Sequence, residues 1–258
     1  MYELEQSSPL DSSELRRAAL AAQILEQRRE ALQRARGEES EITDAEARSR
    51  AEEIRYATSS TYIWLTQYCK TFNPHWKEQK KSSAYEPFPD WPFFPPLLDY
   101  IEDDTEQVKL IEKSRTMMVS WALVGYFTLQ AMLVPEREIV FQTMTDDKVE
   151  QLIDYAKQLW QSQPRFLREA FPVPKDTDKQ PKNEFRVAQS VIHGIPGGKG
   201  KIRSYHPWGY LNDETAFQAD AGESYDESLS ACQKIVLNST AAPSWYFDFL
   251  ADAEIIGR

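Results

Sequence analysis

Three short segments of this sequence hold the residue types that phosphate chemistry uses, and each adjoins an apolar stretch of strand character. Lys113-Ser114-Arg115-Thr116-Met117-Met118-Val119-Ser120-Trp121 follows VKLIE (108–112). Asp213-Glu214 follows WGYLN (208–212), and Ser239-Thr240 closes KIVLNST (234–240). A strand that runs into a helix turns several backbone N–H groups toward one point at the helix N-terminus, where an anion is favoured. A lysine there supplies a point charge to a β/γ-phosphate, and a hydroxyl at the helix start, here Ser120, reaches Mg²⁺. An acidic pair at another strand end serves two adjacent roles, Asp213 in the metal shell and Glu214 polarising an attacking water. Taken singly these features are commonplace, since Lys-Ser often follows a strand and an Asp-Glu pair often caps a solvated loop. The pattern GxxxxGK[ST] is absent: Met118 stands where glycine is expected and Val119 where lysine is expected, so by pattern alone the segment is not a P-loop.

The elements that must position these residues alternate. VKLIE reads as a strand, SWALVGYFTLQAML (120–133) as a helix, EIVFQT (138–143) as a strand and DDKVEQLIDYAKQLWQ (146–161) as a helix. EFRVA (184–188), SVIHGI (190–195), WGYLN and KIVLNST read as further strands. Such alternation predicts an α/β fold with a mostly parallel sheet, whose ligands bind beyond the carboxyl ends of the strands, just after residues 112, 143, 212 and 238. Residues 1–72 read as an N-terminal helical arm. Asp11 and Glu14 have capping-box spacing ahead of one helix that Gly37 would close, Thr43 and Glu46 open a second, and a third, aromatic helix spans about 59–72 and docks on the main body. Residues 73–105 form a lead-in rich in proline and aromatics, expected to run extended against residues 106–258, the core.

Composition removes several function classes. The 258 residues carry 30 Lys+Arg against 41 Asp+Glu, a formal charge of −11, which argues against bulk coating of nucleic acid but leaves room for a local basic track. Cys69 and Cys232 are far apart, and His75, His193 and His206 lie in unrelated contexts, so neither a disulfide scaffold nor a zinc site is expected. No apolar run is long enough for a membrane span, and the N-terminus has no apolar signal core. A membrane partner is therefore not expected.

Together the three segments resemble the ATPase domain of tailed-phage terminase large subunits, the motors of DNA packaging. KSRTMMVSW resembles their deviant Walker A, in which the lysine moves to the front of the loop. YLNDETAF resembles their Walker B, and NSTAAPSW their coupling motif, with FLREAFP (166–172) resembling a Leu-Pro segment between them. The likeness covers roughly residues 60–250. It implies a P-loop sheet of the ASCE type that hydrolyses ATP with Mg²⁺. By this likeness Lys113 binds the β/γ-phosphates, Ser114 to Val119 wrap them with backbone amides, and Trp121 follows in the nucleotide-binding segment. Ser120 and Asp213 hold the metal, Glu214 is the catalytic base, and Ser239 and Thr240 couple hydrolysis to movement. Arg203 is the first candidate for a charge delivered to a neighbouring subunit, and Arg115 the rival acting in cis. The likeness also implies double-stranded viral DNA, a portal protein and a small terminase subunit as partners. It implies a homo-oligomeric ring, a pentamer on the capsid and weak or monomeric in isolation, at work in the host cytoplasm.

Two departures stand out. Met118 in place of glycine restricts φ beside the phosphates. The nuclease domain that usually follows is not expected within this length. The lead-in aromatics Tyr85, Phe88, Trp91, Phe93 and Phe94 offer a wall for adenine or, equally, plain packing. For DNA, residues 175–203 hold seven cations against three acids, with Lys199 and Lys201 in a glycine-rich turn as the contact candidates. The alternatives are a helicase-like P-loop NTPase, which would want a second α/β lobe, and a degenerate, non-catalytic interaction module.

Overall fold

The computed structural model describes residues 44–73, 75–174 and 181–256. The expected helix after Asp11 and the basic residues Lys175 and Lys179 lie outside these. Two compact units divide the chain, residues 1–55 and 56–258. The boundary falls within α1 (Asp44–Ala57).

The larger unit is built on a six-stranded sheet in the order β3-β8-β7-β4-β6-β5. Its strands are β3 (Val108–Lys113), β4 (Glu138–Thr143), β5 (Glu184–Val187), β6 (Ser190–Pro196), β7 (Gly209–Asp213) and β8 (Lys234–Thr240). All pairs are parallel except β5–β6, so the sheet is α/β and mostly parallel, as the alternation predicts. β7 and β8 are buried at every residue, which is why they read as continuous apolar runs and not as alternating ones.

The β3 strand leads through α4 (Val119–Leu133) to β4, and α5 (Asp146–Ser162) and α6 (Arg165–Ala170) follow. Nearly all of α4 is buried, consistent with its apolar residues on every side. Gly125 lets α4 approach Leu65, and Gly209 of β7 makes room for Phe127; a Cβ at either would meet those side chains at 2.7 and 2.6 Å. α7 (Ala221–Ala231) and α8 (Trp245–Ile256), neither expected from the sequence, flank β8 in the chain.

Two expectations are corrected. The third helix does not run through 72: α2 (Thr61–Ile63) passes into a π turn (Trp64–Tyr68), and β1 (Lys70–Phe72) then pairs antiparallel with β2 (Tyr85–Pro87). That strand exists because its partner arrives 15 residues later, which helical periodicity cannot register. Nor is the lead-in extended throughout, because α3 (Phe94–Glu102) begins with Pro95 and Pro96 in its first turn, where a missing N–H costs no intrahelical bond. One hydrogen bond holds the first segment to the end of α5 and another joins the two segments to each other. Trp64 Nε1 donates to Gln163 Oε1 at 3.0 Å, and Thr61 N donates to Glu102 Oε1 at 2.7 Å.

Candidate active site

Four side chains from two strand ends and one helix start meet at the carboxyl edge of the sheet. β3 ends on Lys113, Ser120 lies in the first turn of α4, and β7 ends on Asp213 with Glu214 next. Ser120 Oγ donates to Asp213 Oδ1 at 3.0 Å and accepts from Lys113 Nζ at 3.1 Å. Lys113 Nζ also lies 3.7 Å from Asp213 Oδ1 and 3.5 Å from Glu214 Oε1. Strand insertion makes this meeting possible. β7 and β8 enter between β3 and β4, and the register sets Asp213 beside Asn238, and Lys113 beside Thr240.

The side chains of Lys113 and Asp213 are 10% and 9% exposed, whereas Glu214 is 32% exposed. Burial pushes the Asp213 carboxyl above its ordinary range; the Lys113 ammonium and the Ser120 hydroxyl pull against it, Glu214 adds to the rise, and Asn238 opposes it. Asn238 Nδ2 donates to Asp213 Oδ1, while its own Oδ1 is buried without a hydrogen-bond partner among the described residues.

The loop from Lys113 to α4 turns through two left-handed residues, Thr116 (φ 65°) and Met118 (φ 52°). Met118 therefore takes the conformation a glycine would take, at a cost of roughly 1–2 kcal/mol. The φ restriction expected of it does not alter the turn; the buried α4 behind the loop offsets the cost. An open cleft of about 390 Å³ adjoins Lys113, lined by Glu112, Lys113, Ser114, Arg115, Thr240 and Ala241.

This arrangement surrounds one point with a cation, a hydroxyl and two carboxylates. Among the described residues no three His, Cys, Asp or Glu side chains are placed to hold a metal by themselves. Ser120 and Asp213 offer two oxygens, and a hard cation such as Mg²⁺ commonly completes its shell with phosphate oxygens and water. The residues present therefore fit Mg²⁺ accompanied by a phosphate.

The other sequence-predicted residues are distributed differently. Thr240 lines the cleft, but Ser239 is fully buried and its Oγ accepts from Ala216 N at 3.1 Å, bracing the turn after Glu214. Trp121 is buried against Tyr155, ring centroids 3.9 Å apart, and does not line the cleft. Arg203 pairs with Glu227 at 2.8 Å and Lys199 with Glu223 at 2.6 Å, both acids on α7. Arg115 is exposed on the cleft, and Lys201 is exposed on its turn. Of the lead-in aromatics, Trp91 stacks on Phe94 at 5.6 Å, Phe88 meets Phe94 tilted at 5.2 Å and Tyr85 meets Phe72 of β1 edge-on; none lines the cleft.

Sequence reasoning missed Asn238 and Tyr246. An asparagine inside the apolar run KIVLN was the available signal for the first. Tyr246 of α8 gave none; its hydroxyl accepts from Ile111 N at 3.1 Å and reaches the carbonyls of Ile111 and Leu237 at 2.8 and 3.0 Å, tying α8 to β3 and β8.

No family model matches the chain, and no curated protein matches it. Among solved structures, the large terminase of bacteriophage HK97 superposes with a TM-score of 0.59 at 11% identity, over 78% of this chain and 41% of that one. The fold is that of a phage large terminase. The chain thus spans less than half the length of the HK97 protein. The large terminase ATPase domain of Thermus phage P74-26 aligns over 63% of this chain and 69% of that one, with a TM-score of 0.44 and 12% identity. A point mutant of that domain aligns over 63% and 70%, with a TM-score of 0.45 and 13% identity.

Proposed function

We propose that this chain is the ATP-hydrolysing motor portion of a large terminase, which drives double-stranded viral DNA into a procapsid. The observation that carries the reading is the meeting of Lys113, Ser120, Asp213 and Glu214 at the carboxyl edge of a sheet with a phage terminase fold. Lys113 stands at the front of its loop, yet its ammonium reaches the same point as the helix-start hydroxyl. A lysine displaced in sequence thus serves the phosphate from the strand side.

The residues divide the work. Backbone amides of Ser114 to Val119 and the Lys113 ammonium receive the phosphates, and Arg115 and Thr240 flank them from the cleft walls. Ser120 and Asp213 would hold Mg²⁺, which when bound neutralises phosphate charge. Glu214, partly exposed beside the buried pair, takes the proton of the attacking water. Its present partner is Lys113 at 3.5 Å. Phosphate oxygens that draw Lys113 toward them release Glu214 to act as a base. Ser239 braces the turn after Glu214 and Thr240 faces the cleft, which suits a pair that conveys phosphate occupancy to the rest of the molecule.

The partners follow from the same reading: viral DNA, a portal protein, a small terminase subunit and further copies of this chain in a ring, in the host cytoplasm. Lys199 and Lys201 are the DNA contacts, and a DNA phosphate must displace Glu223 from Lys199 to engage it. The direct test is Glu214→Gln, which keeps size and most hydrogen bonding. Mg²⁺-dependent ATP turnover should fall by about 10²-fold or more while ATP binding persists. Equal turnover in the variant and the unaltered protein removes Glu214 from this role.

A further inference from the structure

Glu214 stands in the left-handed region, φ 59° and ψ 40°, an unusual place for a residue with a side chain. Something must hold it there. The peptide plane between Asp213 and Glu214 is the controlling unit, because its rotation changes the ψ of Asp213 and the φ of Glu214 together. The carbonyl of that peptide, Asp213 O, accepts from Gln218 Nε2 at 2.8 Å.

We propose that Gln218 is the positioning residue of the Asp213–Glu214 pair. This rests on the hydrolytic reading above. Gln218 reaches back over the short 3₁₀ turn Thr215–Phe217, and its amide also donates to Asn212 Oδ1 at 2.5 Å. The direction of these bonds is set by a chain of neutral side chains buried in the sheet. Asn212 Nδ2 donates to the Tyr210 hydroxyl at 2.9 Å, Tyr210 donates to Gln142 Oε1, and Gln142 Nε2 donates to Ser224 Oγ at 3.3 Å. Asn212 Nδ2 is thereby turned toward Tyr210, and Asn212 presents its Oδ1 to Gln218. Two further braces, Thr215 Oγ1 to Asn212 O at 2.9 Å and Ala216 N to Ser239 Oγ, hold the turn, and the β7–β8 ladder pairs Asp213 with Asn238. Among these side chains Gln218 is the one that bonds the carbonyl of the Asp213–Glu214 peptide. Its Oε1 is buried with no hydrogen-bond partner among the described residues and faces Gly197, where a Cβ would stand 3.2 Å from it. The glycine leaves room for the amide to stay in this orientation.

Two variants test this. Gln218→Met keeps length and removes both donors. Its crystal structure should show Glu214 out of the left-handed region with its carboxylate away from Lys113. Glu214 still at positive φ within 4 Å of Lys113 Nζ overturns the proposal, whether or not the unaltered chain hydrolyses ATP. In turnover assays kcat should fall by about 10²-fold, as for a misplaced catalytic group, with KM for ATP unchanged; a change in KM alone also overturns it. Gln218→Lys supplies the second readout, since it restores a donor at similar length. It should recover part of the kcat lost in Gln218→Met. Activity as low as that of Gln218→Met refutes the donor role. Failure of the unaltered chain to turn over ATP at all would count against the hydrolytic reading and leave the crystallographic test to decide Gln218.

Discussion

Replacing Lys113 by methionine isolates the electrostatics of the candidate site from any question of ligand. The ammonium lies 3.7 Å from Asp213 Oδ1, and both side chains are about nine-tenths buried. At an effective dielectric of about 20, that separation corresponds to roughly 4–5 kcal/mol of attraction. The loss is nevertheless capped, because Asp213 can escape by taking a proton. Protonating a carboxyl whose ordinary value is 3.8 costs about 4 kcal/mol at pH 7 and about 2 kcal/mol at pH 5. Asp213 already sits above that value, so Lys113→Met should destabilise by less than these ceilings.

The sign follows from linkage. A carboxyl raised in the folded state favours folding below its unfolded value, and that contribution is lost as pH rises through the folded value. Removing Lys113 raises Asp213 further and widens the window of loss. The melting-temperature gap between Lys113→Met and the unaltered chain should therefore be small near pH 4 and grow toward pH 7. There it should reach about 5–10 °C, as expected for 2–3 kcal/mol in a domain of this size. Thermal melts across that range are the assay. Adding Asp213→Asn to both proteins should collapse the gap to about 1 kcal/mol or less, since removing the ammonium then no longer strands a buried carboxylate. A gap that is independent of pH, or that survives Asp213→Asn, refutes the reasoning and assigns Lys113 a packing role only.

The remaining predictions concern other parts of the molecule. Asp103 is held down at about 2, chiefly by the hydroxyl and amide of Thr105 and then by Lys109, so its contribution to stability is present above the unfolded value and lost as pH falls toward 2; Asp103→Asn should flatten that acid limb of the melting curve. Gly194→Ala drives a Cβ into Val149 Cγ1 between β6 and α5, and denaturant titration should register a loss of about 1–3 kcal/mol from overpacking. Mixing Arg203→Ala with Glu214→Gln under conditions where the unaltered chain assembles should restore part of the activity if Arg203 acts across subunits, because an intact arginine can then face an intact glutamate. A mixture that stays inactive returns the role to Arg115, and the Arg203–Glu227 pair, 2.8 Å apart, would then be purely intramolecular.

Much of this molecule is written in one dimension. The core strands and the two long helices α4 and α5 carry their own periodicity, apolar runs for central strands and amphipathic or wholly apolar patterns for helices, so their bounds follow from residue type. The chemistry-bearing residues were also visible, because each stands where a strand ends. Strand order was not. Lys113 and Asp213 are 100 positions apart, and nothing local says that β7 and β8 insert between β3 and β4 and not at an edge. That insertion alone brings the lysine onto the carboxylates. The β1–β2 hairpin escaped for the same reason, its strand status being conferred by a partner. The left-handed backbone at Met118 and Glu214 runs against residue preference, and only packing and hydrogen bonds formed elsewhere can hold it. Asn238 and Gln218 act through what they touch, Asp213 Oδ1 and Asp213 O. Sequence thus determined which groups were available at the strand ends; tertiary structure decided which of them meet, because hydrogen bonds and ion pairs depend on distances that only the folded sheet sets.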